Sequence, residues 1–160
     1  MPLLMTSKKQ WRRNNMRTIK FRGIIIDYGE WVYGTLAFIK NLAFIDGDSV
    51  VGTGMYAIVP HSIGQFTGLT DKNGKDIYEG DILRSDKYPF NCDGVDNYYL
   101  VIEEVDSDGF LSLAPISRQA TKSTCIGTND GFERDWDSVK NAEVIGNIHD
   151  NVELLKDYKL

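Results

Sequence analysis

The chain is poor in the residues that usually announce a chemistry. It has two cysteines and two histidines among 160 residues. Cys92 and Cys125 are too few and too far apart for a structural zinc site, which draws its ligands from close pairs. They read as reduced thiols. No stretch approaches the roughly 18 apolar residues of a membrane-spanning helix. The positive residues near the start are not followed by the apolar run that a signal peptide requires. The expected location is therefore the cytoplasm, with no membrane contact.

Sustained helical spacing is also lacking. No window keeps apolar residues at i, i+3, i+4 and i+7 over three turns. Proline is scarce, at four residues, while glycine reaches fifteen and aromatics are spread throughout. That balance predicts a mainly β fold of many short strands, eight to ten in all, with little helix. At 42% apolar residues, the chain can build a packed core and is not a disordered polymer.

The net charge is −5, unevenly placed. Residues 1–22 carry seven bases (Lys8, Lys9, Arg12, Arg13, Arg17, Lys20 and Arg22) and no acid, while the remainder carries eleven bases against 23 acids. Residues 1–15 show no period and read as a basic, flexible extension before a domain spanning 16–160. The segment is the one candidate nucleic-acid contact surface, with Trp11 able to stack on a base between Lys8, Lys9, Arg12 and Arg13. Arg17, Lys20 and Arg22 continue it into the first strand. The acidic body opposes nucleic acid, so this partner is not favoured.

Strand patterning opens with "MRTIKFRG" (Met16–Gly23), where Ile19 and Phe21 alternate with Lys20 and Arg22. Glu30–Ile39 reads as a second strand. Ser49–Val59 reads as two short strands around Gly52 and Gly54. Asn97–Val105 and Gly109–Ile116 form a predicted hairpin across the Asp108-Gly109 pair. Residues 117–138 read as a long loop, Ala142–Asp150 as a last strand, and Asn151 as a cap for one or two closing helical turns.

The densest stretch is "IGQFTGLTDKNGKDIYEGDIL" (Ile63–Leu83), with four glycines and four acids. A calcium loop needs Asp-x-Asn-x-Asx-Gly; here Gly74 arrives two residues early, and Lys72 and Lys75 sit where a cation would. A phosphate loop is excluded because Gly74-Lys75 is followed by Asp76. "GTGMYA" (Gly52–Ala57) mimics a dinucleotide fingerprint, but Pro60 and Gly64 interrupt the helix that must follow. Tight turns meet no such obstacle. Asn73-Gly74 predicts a type I′ turn, with Asp71 accepting a backbone hydrogen bond two residues on. Gly80 marks a bulge or close approach, and Asp81 bonds nearby amides.

The same stretch resembles the signature of the YopX family, found in temperate phages and prophages of bacteria. "MRTIKFRG" resembles the family's opening, "WVYG" (Trp31–Gly34) its next landmark and "EVIGNIHDNVELL" (Glu143–Leu155) its ending. His61-Ser62 replaces an expected acidic residue and threonine, and Val152 replaces proline. The resemblance spans Met16 to Leu155. It implies a β-rich fold mixing barrel and sandwich features, assembly into oligomers, and residence in a bacterial host. It transfers no catalytic residue and no cofactor.

His61 and His149 are the only imidazoles. His149 and Asp150, being adjacent on a strand, point to opposite faces and form no oriented pair directly. Glu79 and Asp81 lie two apart on one strand face and could hold magnesium, or pair with Arg84 or Lys75 instead. The reading that follows is a non-catalytic phage accessory protein acting by self-assembly or by binding a phage or host protein. The alternatives are a nucleic-acid-binding regulator using the basic segment and a metal-dependent hydrolase using the clustered carboxylates.

Overall fold

The computed structural model of the chain describes residues 18–85, 91–92, 95–96, 98–102, 112–115 and 141–155. The extension at 1–15, the Asp106–Gly109 turn and the loop at 117–138 lie outside them, as do Lys8, Lys9, Trp11, Arg12, Arg13 and Arg17.

The fold is mainly β. The described residues form twelve strands: β1 (Phe21–Ile24), β2 (Trp31–Ile39), β3 (Leu42–Ser49), β4 (Gly52–Ala57), β5 (Gly64–Thr70), β6 (Asp76–Tyr78), β7 (Asp81–Arg84), β8 (Asn91–Cys92), β9 (Val95–Asp96), β10 (Tyr98–Ile102), β11 (Ser112–Pro115) and β12 (Glu143–Asn147). A six-stranded antiparallel sheet runs β4-β3-β2-β1-β5-β6, a four-stranded one β11-β10-β7-β12, and β8 pairs with β9. Among the described residues, helix is confined to two short 3-10 turns, Pro60–Ser62 and Val152–Leu155. The strand "GTGMYA" is β4, so no helix follows its glycines.

The large sheet rolls without closing into a barrel. The end of β4 returns to β1 through one antiparallel bridge, Ile25↔Ile58, with bonds from Ile26 N to the Ala57 oxygen and from Val59 N to the Ile24 oxygen. Inside this roll sits the main core of Ile25, Val32, Ala43, Ile45 and Ile58, with Phe21, Leu36, Tyr56 and Ile63 packed against it. Alternation along β3 buries Ala43 and Ile45, as a one-sided antiparallel strand requires.

β3 lies across the gap between two expected strands. It is joined to β2 by a two-residue loop in which Lys40 (φ 48°) and Asn41 (φ 66°) both take left-handed conformations, between the paired residues Ile39 and Leu42. Two positive φ values mark the type I′ hairpin. Gly34 and Gly47 face each other across the two strands. A Cβ on Gly34 would lie 2.1 Å from the Asp46 carbonyl oxygen, and one on Gly47 would lie 2.0 Å from the Tyr33 carbonyl oxygen. Backbone approach this close excludes any side chain, which gives the glycine of "WVYG" its physical reason.

The expected hairpin between 97 and 116 is present as β10 paired with β11. β12 is the expected last strand, bulged between Val144 and Gly146. The Asn151 carbonyl accepts from Leu154 N in the closing turn, but its side chain faces backward and accepts from Asn147 N at 3.2 Å.

Candidate functional site

The two sheets meet along a seam built largely by the glycine- and acid-rich stretch. Asp71 begins it. Its carboxylate accepts from Asn73 N, Lys75 N and Val144 N at 2.8, 2.9 and 3.1 Å. The first two bonds close its own turn, and the third reaches β12. Lys72 N adds a bond to the Ala142 oxygen at 2.9 Å. Burial pushes the Asp71 carboxyl up, but the backbone N–H groups of Lys75, Val144 and Asn73 outweigh it and hold it below the ordinary carboxylate value.

The turn differs from the type I′ expectation. Gly74 has φ +80°, whereas Asn73 does not take a positive φ. The Asp71 oxygen accepts from Gly74 N at 3.0 Å, and Asp71 N donates to the Lys75 oxygen at 2.8 Å. This is a three-residue loop closed by a left-handed glycine, the next hairpin form after the two-residue one. With Asp71 supplying acceptors for Asn73 N and Lys75 N, Asn73 has no need of the left-handed region.

Gly80 (φ +80°) stands with Glu79 in the turn between β6 and β7, and its oxygen accepts from Ile148 N at 2.9 Å. Asp81, the first residue of β7, accepts from Tyr78 N at 2.8 Å and from Arg22 Nη1 at 2.5 Å. Arg22 Nη2 also donates to the Glu79 carbonyl oxygen at 2.9 Å. The ion pair therefore crosses from β1 to β7 and links the two sheets. Burial pushes the Asp81 carboxyl up, against the opposing pull of the Arg22 charge and the Tyr78 N–H.

Arg22 reverses the alternation read from "MRTIKFRG". It is 4% exposed, whereas Ile19 is 68% exposed. Its guanidinium lies 4.8 Å from the Trp31 ring centroid and 5.2 Å from that of Tyr78, so the cation meets two aromatic rings as well as its carboxylate partner. The partner of Asp81 is thus Arg22, neither Arg84 nor Lys75, and Glu79 does not share a strand face with it. The Glu79 carboxylate instead accepts from Gln65 N at 2.9 Å. Among the described residues, no group of three or more His, Cys, Asp or Glu side chains converges as metal ligands would.

On one flank of Arg22, the two histidines meet. His149 packs 5.8 Å from Trp31 and 6.0 Å from His61, between ring centroids. Asp150 is turned away to accept from Trp31 Nε1 at 3.0 Å and Asn147 Nδ2 at 2.7 Å. Burial first, then the charges of Arg22 and His61, lower the His149 pKa, with Asp150 opposing.

On the other flank lies a cleft of about 240 Å³ lined by Lys20, Arg22, Tyr33, Lys75, Asp76 and Tyr78. Lys20 is ion-paired with Asp76 and sits 4.4 Å from the Phe66 ring centroid. Its pKa is raised chiefly by that hydrogen bond. Tyr33 and Tyr78 are tilted at 59° with centroids 5.5 Å apart. Burial pushes both phenols up, so they remain protonated donors at neutral pH. Of the basic residues proposed for nucleic acid, Lys20 and Arg22 are described, and both are ion-paired within the domain. The cleft, and Lys75 and the tyrosines within it, had no local motif to reveal them.

The family model described as "YopX protein" matches residues 20–156. The chain is similar to the solved structure of protein EF1440 from Enterococcus faecalis, at 23% identity and a TM-score of 0.49, over 87% of this chain and 99% of that one. No curated protein matches the chain.

Proposed function

We propose, from the premise that the chain belongs to the YopX family, that it is a non-catalytic accessory protein that works by assembling with copies of itself. The reading as a phage or prophage protein of the bacterial cytoplasm rests on the family resemblance. What supports assembly is the free edge of the large sheet. β4 ends the strand order, and its sequence, "GTGMYA", contains no charge and no proline. Natural edges are usually blunted by lysine, proline or a covering segment, because unpaired N–H and C=O groups recruit another strand. Among the described residues, no strand pairs with the outer side of Gly52–Tyr56.

The neighbouring β2–β3 tip adds apolar surface. Phe38, Ile39 and Leu42 are 66%, 46% and 60% exposed around the Lys40–Asn41 turn. Phe38 and Ile39, adjacent in an extended strand, face opposite ways, so the tip is apolar on both sides. Exposed apolar side chains grouped at one loop in this way are the kind of surface that interaction sites use.

Light scattering on the full chain tests the reading. The expected mass is a multiple of 18.1 kDa. Met55→Lys, which places a charge on the edge strand, and Phe38→Ser, at the tip, should shift it toward the single chain. A single-chain mass for the unaltered protein, or a multiple unmoved by both substitutions, overturns it.

A further inference from the structure

Asn73-Gly74 is the only Asn-Gly pair in the sequence, and the fold presents it at an exposed turn. Such a pair has a chemistry of its own. The backbone nitrogen that follows an asparagine can attack the asparagine's side-chain Cγ, and glycine obstructs that approach least because it has no side chain. Here nothing stands within 4 Å of the position a Gly74 Cβ would take. The exposed Asn73 amide has no hydrogen-bond partner among the described residues. Asn147 is held by bonds to His149 N, Asp150 N and the Asp150 carboxylate, and Asn151 by bonds to Asn147 N and Glu153. Those two also precede the stiff, β-branched Ile148 and Val152. One restraint acts on the Asn73-Gly74 pair. Gly74 N, the attacking atom, donates to the Asp71 backbone oxygen at 3.0 Å, in a turn whose Asn73 N and Lys75 N are held by the Asp71 carboxylate.

We propose that Asn73 is a site of spontaneous deamidation, that the Asp71 turn slows it, and that its isoaspartyl product loosens the join between the two sheets. Gly74 N loses its proton to hydroxide and bonds to Asn73 Cγ. The Cγ–Nδ2 bond breaks, and the amide nitrogen takes a proton from water and leaves as ammonia. Water then opens the resulting cyclic imide. Cleavage at Cγ leaves aspartate; cleavage at the backbone carbonyl carbon leaves isoaspartate, with the main chain rerouted through Cβ and Cγ. Nothing is oxidised or reduced. Isoaspartate puts an extra methylene between Asn73 N and Gly74 N, inside the loop whose Asn73 N and Lys75 N both reach Asp71 Oδ1. The two donors then no longer meet that oxygen in the same geometry. Oδ2 of the same carboxylate is the acceptor for Val144 N of β12, so the disturbance reaches the small sheet. The site is separate from the β4 edge and the β2–β3 tip, so its failure leaves the assembly reading standing, and the reverse.

The test is ageing of the full chain in mildly alkaline buffer, with peptide mass spectrometry and isoaspartate-specific methylation following each asparagine. Asn73 should convert ahead of Asn41, Asn141, Asn147 and Asn151, to a mixture of isoaspartate and aspartate. The same chain unfolded in guanidinium should convert Asn73 at least about tenfold faster, the scale of losing the hydrogen bonds that close the turn. Asp71→Asn, folded, should convert at a rate between the two. In aged protein, Val144 N and Lys75 N should exchange hydrogen faster than in fresh protein, while Asn73→Gln should keep its protection through the same ageing. Earlier conversion at any of the other four asparagines, equal rates in the folded and unfolded chain, an unchanged rate in Asp71→Asn, or unchanged Val144 exchange in protein carrying isoaspartate overturns the assignment.

Discussion

The two oxygens of Asp71 tie together segments 73 residues apart: Oδ1 accepts from Asn73 N and Lys75 N inside its own turn, while Oδ2 accepts from Val144 N in β12. One side chain thereby shapes a loop of the large sheet and docks it on the small one. Asp71→Ala removes three charge-assisted bonds and leaves buried N–H donors. The expected destabilisation is about 2–4 kcal/mol in urea unfolding. A loss below about 0.5 kcal/mol would mean the clamp is redundant.

The same carboxylate sets an acid limit. Its folded pKa lies below the ordinary value, so it stabilises the fold fully above the unfolded pKa, and that contribution disappears as pH falls through the folded pKa. Unfolding measured downward from about pH 5 should show a stability loss that is shallower in Asp71→Asn.

His149 gives a second, separable pH dependence. Its folded pKa is depressed, so the neutral ring is favoured in the fold; its contribution is present above the unfolded pKa of about 6.5 and is lost as pH falls through the folded value. NMR titration should place its midpoint below 6.5, the ordinary value. His149→Gln should flatten the stability change between about pH 7.5 and about pH 5.5. An ordinary midpoint would contradict the packing against Trp31 and His61.

At Gly74 there is open space around a hypothetical Cβ, so only the backbone objects to a side chain. Gly74→Val should cost about 1–2 kcal/mol, and Gly74→Asn clearly less, because asparagine tolerates the left-handed region. Equal losses would point to packing rather than conformation.

Gly34 is the opposite case, with the Asp46 oxygen 2.1 Å from the position of an added Cβ. Gly34→Ala must part β2 from β3 and should cost about 3 kcal/mol or more, read as a large fall in thermal midpoint.

Much of this architecture was legible where chemistry is local. The Asp71 turn, the β10–β11 hairpin and the final strand each carry their own turn residues or alternation. β3 was hidden because Asp46, Gly47 and Asp48 break its apolar run; Thr53 Oγ1 bonds Asp48 Oδ1 at 2.7 Å, so the acid is a partner of β4 rather than a turn. Lys40-Asn41 lacks the glycine that usually advertises a type I′ turn. Arg22 was read as a solvent-facing base because its partner, Asp81, lies 59 residues on, and no local period encodes that distance. The cleft was invisible for the same reason: its walls come from β1, β2, the Asp71 turn and β6, and only folding assembles them.

The account turns on the claim that Asp71 and Asp81 of the "IGQFTGLTDKNGKDIYEGDIL" stretch are spent on joining two sheets. A double-mutant cycle on Arg22 and Asp81 tests it most directly. Arg22→Met and Asp81→Asn should each destabilise by about 3–5 kcal/mol, because each strands a buried charge. The double variant should lose at least about 2 kcal/mol less than the sum. Small, additive losses would contradict the account and return these residues to the search for an active role.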